Sequence, residues 1–306
     1  MITLSKNNFQ LNAKKMGSGE QGSVYSFPLN TKSGTPKDVA IKIYKKKSLE
    51  NNELQIETHL QRIRSAFKKI TPEEQRIINS TTTRIIDLVK IDNQFRGYAM
   101  PLIPAKYLPK KKNMFDNGYK TVERTLSYAL NDDKARIELQ EPIISAYGRK
   151  IILLKLLYVM DILHRNGIIV GDISPNNVLV YVDADDQKKN SIMLLDIDSF
   201  RTRTAMFPLN QPHTPNWIPP ECSHSYSDIN RFFQTEQTDI WKISILILRL
   251  YYFGPQRTVI SFSEDALDRI SQELSPEFSK LVRMGLDENP ESRPSMTEML
   301  NALKHC

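Results

Sequence analysis

The stretch IIVGDISPNNVLV, residues 168–180, sets an aspartate and two asparagines in a short polar hinge between two apolar, β-prone runs. A solvated turn rarely needs both flanks buried, so Asp172 and Asn177, five positions apart, are candidates for the floor of an active site. A second stretch, GSGEQGSV at residues 17–24, places Gly17, Gly19 and Gly22 at G-x-G-x-x-G spacing. Without a Cβ, such a loop turns tightly and lets its backbone approach phosphate oxygens. The following SVYSF alternates and is rich in β-formers, so these glycines join two strands. A dinucleotide fold would open a helix there, and no Gly-Lys-Ser/Thr follows to make a P-loop. VAIK, residues 39–42, comes next in a strand whose alternation puts Val39 and Ile41 on one side and Ala40 and Lys42 on the other. Beside the small Ala40 the lysine has room for a ligand.

These residues need elements to position them. Up to about residue 104 the pattern predicts strands at LNAKKM, SVYSF, DVAIKIY, RIIDLVKI and FRGYAMPLI, with a turn at Ser33–Pro36. One helix between the third and fourth strands starts near Ser48 as N-cap and carries Leu49, Ile56, Leu60, Ile63 and Phe67 as a stripe. From residue 143 helices dominate, at 143–166, 237–253, 263–273, 276–286 and 295–304. The expectation is an α+β fold of two lobes with a cleft between them, a β-rich lobe over 1–104 and a larger helical one over 105–306. Residues 105–142 read as an insertion near the hinge, with some helix.

Composition narrows the class. The 306 residues are 40% hydrophobic and 25% charged, enough for a substantial core. The apolar runs IILLKLLYVMDIL and ISILILRLYYF are short and interrupted by Lys155, Asp161 and Arg249, so they read as buried helices, and the opening MITLSKNNFQ lacks a signal-peptide core. Two cysteines, Cys222 and Cys306, supply neither a disulfide framework nor metal-ligand spacing, which fits a cytoplasmic location. The net charge of +7 is spread over short clusters such as Lys45–Lys47 and Lys110–Lys112, a pattern of solvated faces that suggests no specific nucleic-acid partner and no membrane span.

Taken together, the motifs resemble those of eukaryotic-like Ser/Thr protein kinases, over nearly the whole chain, in a style with GDxS and DxDSF segments similar to that of bacterial members. The resemblance implies a bilobal kinase fold using ATP and Mg2+, with Mn2+ as a substitute, acting on protein Ser/Thr hydroxyls, including its own. GSGEQGSV would cover the nucleotide with Gly17, Gly19, Gly22 and Val24, and Lys42 would grip its phosphates. Asp172 would be the base, Asn177 and the Asp196 of LLDID the metal ligands, and Ser174 would stand near the transferred group. Ala40, Met100, Pro101, Ile103 and Leu179 would line the adenine pocket, with Ile103 donating its N–H because Pro101 has none. Either Glu53 or Glu57 would orient Lys42; chain distance favours Glu57 and proximity to the apolar stripe favours Glu53. Asp239 would brace the catalytic loop, His164 would lie buried before it, and Glu221 would pair with Arg293.

Three positions depart from the family pattern. Gly171 replaces the arginine before the base, so no cation is expected there to collect an activation-segment phosphate. Ser174 replaces the usual lysine, and Asp198 replaces the glycine of the metal-binding segment. The last two are the features a nucleotide-binding, non-catalytic relative would show. Against that reading, Lys42, Asp172, Asn177 and Asp196 are all present.

Overall fold

The computed structural model describes residues 1–30, 36–50, 52–112, 118–204, 211, 214, 217–223, 234–251 and 264–306. Two compact units separate, one spanning Met1–Pro104 and the other the described residues of Ala105–Thr204 and Asn210–Cys306. The first is β-rich and the second mainly helical, so the chain is α+β as expected.

The first unit runs β1 (Ile2–Leu4), α1 (Lys6–Asn12), β2 (Lys14–Ser18), β3 (Gly22–Asn30), β4 (Pro36–Tyr44), α2 (Lys46–Leu49), α3 (Glu53–Lys69), α4 (Pro72–Thr81), β5 (Asp87–Ile91) and β6 (Gln94–Pro101). The strands form one sheet in the order β1-β5-β6-β4-β3-β2, antiparallel except where β1 pairs β5 in parallel. Val39 and Ile41 of β4 are buried with Leu4, Phe27, Val89 and Ala99 on one face. Helix α1 helps close that face: Ser5 caps it by accepting from the Asn8 N–H, and Phe9 stacks on Phe27 with its edge to Tyr25. Helix α3 buries Leu60, Ile63 and Phe67 of the expected stripe, with His59 beside them, whereas Ile56 is half-buried and Leu49 belongs to α2. Helix α4 has a complete start signal, with Thr71 as cap, Pro72 in the first turn and Glu73 and Glu74 against the positive end of the dipole.

Several sequence expectations need correction here. Leu11 and Asn12 belong to α1, because the Ser5 cap and the packing of Phe9 outweigh the alternation of LNAKKM; the strand starts at Lys14. Neither β1, α1 nor α4 was anticipated. Ser48 is no N-cap: it lies inside α2 and its hydroxyl donates to the Gln21 carbonyl at 3.1 Å, while α3 begins only at Glu53. The fourth strand starts at Asp87, three residues after the predicted Arg84. In the predicted turn at 33–36, residues 33–35 lie outside the described residues.

The second unit begins with β7 (Lys110–Lys112) pairing β8 (Tyr119–Thr121), then α5 (Asp133–Glu138) and the long α6 (Ala146–Arg165). Strands β9 (Ile168–Ile169), β10 (Val178–Tyr181), β11 (Ser191–Leu194) and β12 (Arg201–Thr202) form two small antiparallel pairs, β9 with β12 and β10 with β11. Helices α7 (Pro220–Ser223), α8 (Glu236–Tyr251), α9 (Asp265–Glu273), α10 (Pro276–Met284) and α11 (Met296–Lys304) complete it. Helix α8 is buried on nearly every side, as its apolar run ISILILRL requires, whereas α11 opens on a Ser295/Glu298 capping box. Residues 252, 253 and 263 of the predicted helices lie outside the described residues.

A Cβ on Gly22 would sit 2.5 Å from the carbonyl oxygen of Ile43, a backbone atom of the paired strand, whereas nothing lies within 4 Å of one on Gly19. Gly22→Ala is therefore expected to lower the urea midpoint of unfolding by an amount equivalent to about 1–3 kcal/mol. Gly19→Ala should leave the midpoint where it is.

Candidate active site

In the second unit the site is built on a buried carboxylate. Asp239, in the first turn of α8 and 0% exposed, accepts from the N–H groups of Val170 and Gly171 at 2.9 and 2.8 Å, and its Oδ2 lies 2.9 Å from His164 Nε2. A buried charge is tolerated only when saturated with donors, and here two of them are the backbone of the hinge itself. The hinge therefore cannot drift relative to α8. Gly171 has φ +77°, a left-handed conformation that an L side chain adopts only under strain. This backbone requirement is the local reason for glycine where the family pattern has arginine.

Next to it, Asp172 is fixed from three directions. Its Oδ1 accepts from the N–H and the hydroxyl of Thr214, at 3.0 and 2.8 Å, and its Oδ2 accepts from Asn177 Nδ2 at 2.9 Å. The same Asn177 amide donates to the Asp172 carbonyl at 2.8 Å. Asn177 immediately precedes β10, whose Val178 pairs with Leu194 of β11, and the Leu195 N–H donates to the Asn177 carbonyl at 2.9 Å. Strand pairing thus sets Asp196 at the same end of the β10–β11 ladder as Asn177. Asp196 is exposed and left-handed, at φ 51° and ψ 50°, before the 3-10 turn Ile197–Ser199. The left-handed residue of the DID segment is thus Asp196 itself, and Asp198 occupies an ordinary turn position.

Among the described residues no group of three or more His, Cys, Asp or Glu is arranged to hold a metal ion. Asn177 and Asp196 are a sparse set of hard oxygen donors, the kind suited to Mg2+, which keeps waters and phosphate oxygens in its shell. Glu123, just before Thr125, which bridges to Leu179 of β10, adds negative charge nearby: loss of solvation, and then the charge of Asp196, hold its carboxyl above the ordinary range. Sequence reasoning missed Glu123, which lies in the least patterned stretch of the chain. Leu179 is 0% exposed. Ser174 is buried too, its hydroxyl has no hydrogen-bond partner among the described residues, and its carbonyl accepts from the Asn177 N–H.

A second missed residue is Lys242. Wholly buried on α8, one turn after Asp239, it donates to the Gly171 carbonyl and to Gln234 Oε1, both at 2.6 Å. Burial pulls its ammonium down to about 8, against the opposing charges of Asp239 and then Asp172. No sequence signal separates this lysine from a solvent-facing one except that the surrounding run, DIWKISILIL, is apolar on all sides. The expected Glu221–Arg293 pair forms, with two bonds at 2.7 and 2.8 Å, and Arg293 also holds the Asp287 and Gln237 carbonyls.

In the first unit, cross-strand partners put Val24 and Tyr98 opposite Lys42, and Ser26 and Met100 opposite Ala40, so these side chains share the sheet face away from Val39 and Ile41. Lys42 is 9% exposed and its ammonium lies 5.8 Å from the Tyr44 ring centre. Gly17 and Gly19 stand exposed at the β2–β3 turn, which the Gly19 N–H closes on the Gly22 carbonyl at 2.8 Å, strand to strand with no helix. Pro101 ends β6, and Ile103 follows it. Glu57 is half-buried, 3.7 Å from Lys90, while Glu53 is exposed in the first turn of α3.

The family model described as protein kinase domain matches residues 11–303. The chain belongs to the protein kinase domain family. A protein of Acanthamoeba polyphaga mimivirus that bears a serine/threonine-protein kinase name is 27% identical over 176 residues, covering 50% of this chain and 58% of that protein. Serine/threonine-protein kinase 10-A of Xenopus laevis is 25% identical over 175 residues, covering 53% of this chain and 17% of the relative. The shk1/pak1 kinase of Schizosaccharomyces pombe is 28% identical over 148 residues, 45% and 21% of the two chains. The chain thus spans less than two thirds of the length of each of these relatives. No helix among the described residues is long and apolar enough to cross a membrane.

The buried lysine of this kinase-family chain generates a pH prediction. Its folded value of about 8 lies below the ordinary 10.5, so between these limits the native protein has released a proton that the unfolded chain still binds. Stability carried by this group therefore rises with pH across that window. Denaturant titrations from pH 7.5 to 10.5 should show wild type gaining on Lys242→Met as pH increases; parallel curves would contradict the assignment.

Proposed function

We propose that this chain transfers the γ-phosphoryl group of ATP to Ser or Thr hydroxyls of proteins. The observation that carries the reading is the Asp172 carboxylate, locked by Thr214 and Asn177 on a hinge that Asp239 holds to α8. Phosphoryl transfer asks a protein for positioning and charge neutralisation more than for covalent chemistry, and a carboxylate so fixed is a positioned base. The substrate hydroxyl oxygen bonds to the γ-phosphorus, the bond to the β,γ-bridging oxygen breaks, ADP leaves, and the hydroxyl proton goes to Asp172. Asn177 and Asp196 hold Mg2+, or Mn2+ in its place, which when bound neutralises charge on the phosphate oxygens. Lys42 binds the α- and β-phosphates, the glycine turn supplies backbone N–H groups, and Met100, Pro101 and Ile103 face adenine along with Val24, Ala40 and Leu179. Glu57, the less exposed of the two candidates, orients Lys42. Specificity for Ser and Thr is supported by the Thr214 hydroxyl on Asp172 and by the names of the relatives.

Incubation with labelled ATP, Mg2+ and a generic basic protein tests the activity. Asp172→Asn is expected to lower turnover at least about 100-fold while nucleotide binding persists; equal rates for the two proteins would eliminate the mechanism. Because Gly171 presents no side-chain cation and the Lys242 ammonium is buried on backbone and amide oxygens, turnover needs no activation-segment phosphate. Alanine at Ser199, Thr202 or Thr204 should accordingly leave the rate unchanged, and a phosphate mapped to one of them that proves indispensable would contradict this.

A further inference from the structure

Away from the nucleotide-handling residues, the first unit carries a half-open cavity of about 150 Å³ where the end of α3, helix α4 and the approach to β5 meet. That volume exceeds the roughly 30 Å³ share of a single water several-fold. Three cationic side chains, Arg64, Lys68 and Arg84, line it. Arg64 is already committed, its Nε donating to the Ile86 carbonyl at 3.0 Å and its Nη1 lying 3.2 Å from Asp87. Arg84 is different: among the described residues it makes no hydrogen bond or ion pair, and its Nε is buried without a partner. Burial alone acts on its guanidinium, destabilising the charged form with no carboxylate to compensate.

Arg84 is half-buried, and a guanidinium whose Nε is cut off from both water and a protein acceptor calls for an explanation in a missing partner. Asp87 is shared between Arg64 and the N-terminal ammonium, which lies 2.8 Å from its Oδ2, and among the described residues no carboxylate pairs with Arg84 or Lys68, so the wall keeps a positive surplus that suits a phosphate monoester at neutral pH. The planar fork of Arg84 suits paired phosphate oxygens, and Lys68, exposed at the rim, adds a mobile second cation. The Gln75 carboxamide is fixed beside them, its nitrogen donating to the Lys68 and Ile70 carbonyls. Phe67, Ile78 and Ile85 supply an apolar wall for the carbon side of an ester. We propose that this cavity is a binding site for a phosphate monoester, anchored by Arg84 and Lys68.

The site is tested by calorimetric titration of the whole chain with phenyl phosphate, inorganic phosphate, and a phosphothreonine peptide beside its unphosphorylated twin. Saturable binding of the phosphorylated probes is expected, weakened at least tenfold in Arg84→Met, and the twin should not bind. Arg84→Met removes an unpaired charge, so its ligand-free melting temperature should not fall; Lys68→Gln, at an exposed position, provides a second variant expected to weaken binding several-fold. A preference for the peptide over inorganic phosphate identifies a phosphorylated protein segment as the source, and equal affinities identify a free phosphate or small ester. Absence of saturable binding, or equal affinity in wild type and both variants, would overturn the proposal. Neither readout depends on turnover, so failure here is separable from failure of the catalytic reading.

Discussion

One buried carboxylate, Asp239, organises the second unit's chemistry. It sits in the first turn of α8, a helix buried nearly all round, and spends its acceptor capacity on two consecutive backbone N–H groups and a histidine. Holding backbone instead of side chain fixes the path of the chain as well as its position. Asp172, one residue further, inherits that placement and needs only Thr214 and Asn177 to set its rotamer. From Asn177 the chain enters β10, and the ladder to β11 carries the same registration through to Asp196. A tolerance of a fraction of an ångström at the base thus originates in the helix core.

The departures from the family pattern acquire local causes in this frame. Gly171 is left-handed and its carbonyl is taken by the Lys242 ammonium, so the hinge has a cation after all, supplied from α8 and aimed at the main chain. Gln234 shares that ammonium, and Asp239 and Lys242 stand three residues apart on α8, one binding the hinge's N–H groups and the other its carbonyl. Ser174 is an inward-facing small residue whose carbonyl closes the turn onto Asn177. Asp198 occupies a turn that asks for no glycine, because the unusual dihedral angle falls on Asp196.

Much of this was legible in the sequence, and for specific reasons. Short motifs with obligatory spacing, the glycine turn, the alternation of VAIK and the hinge around Asp172, report local geometry and so survive translation into structure. The Asp239, His164 and Glu221–Arg293 contacts were legible only through family likeness, since nothing in the chain itself connects residues 72 or 75 positions apart. Helix α1 was hidden because seven residues offer too few turns for a period to emerge, and α4 because its polar sequence buries only Ile78. Ser48 carried a cap's identity without a cap's backbone. Glu123 lies in the least patterned stretch and gave no signal, and Lys242 gave only the apolar run around it: a charge that matters because of what surrounds it is hard to tell from a solvated one before the surroundings are known.

The parallel pairing of β1 with β5 joins Ile2 to Val89 and Leu4 to Ile91, closing a loop of nearly the whole first unit. The segment that forms β1 has no edge to join until the chain has been made as far as residue 91, some ninety positions later. Until then Ile2 and Leu4 lack the strand that pairs with them, and the apolar face they share with Phe27 and Val39 stays incomplete. Residues 2–4 are therefore among the last of this unit to find their place.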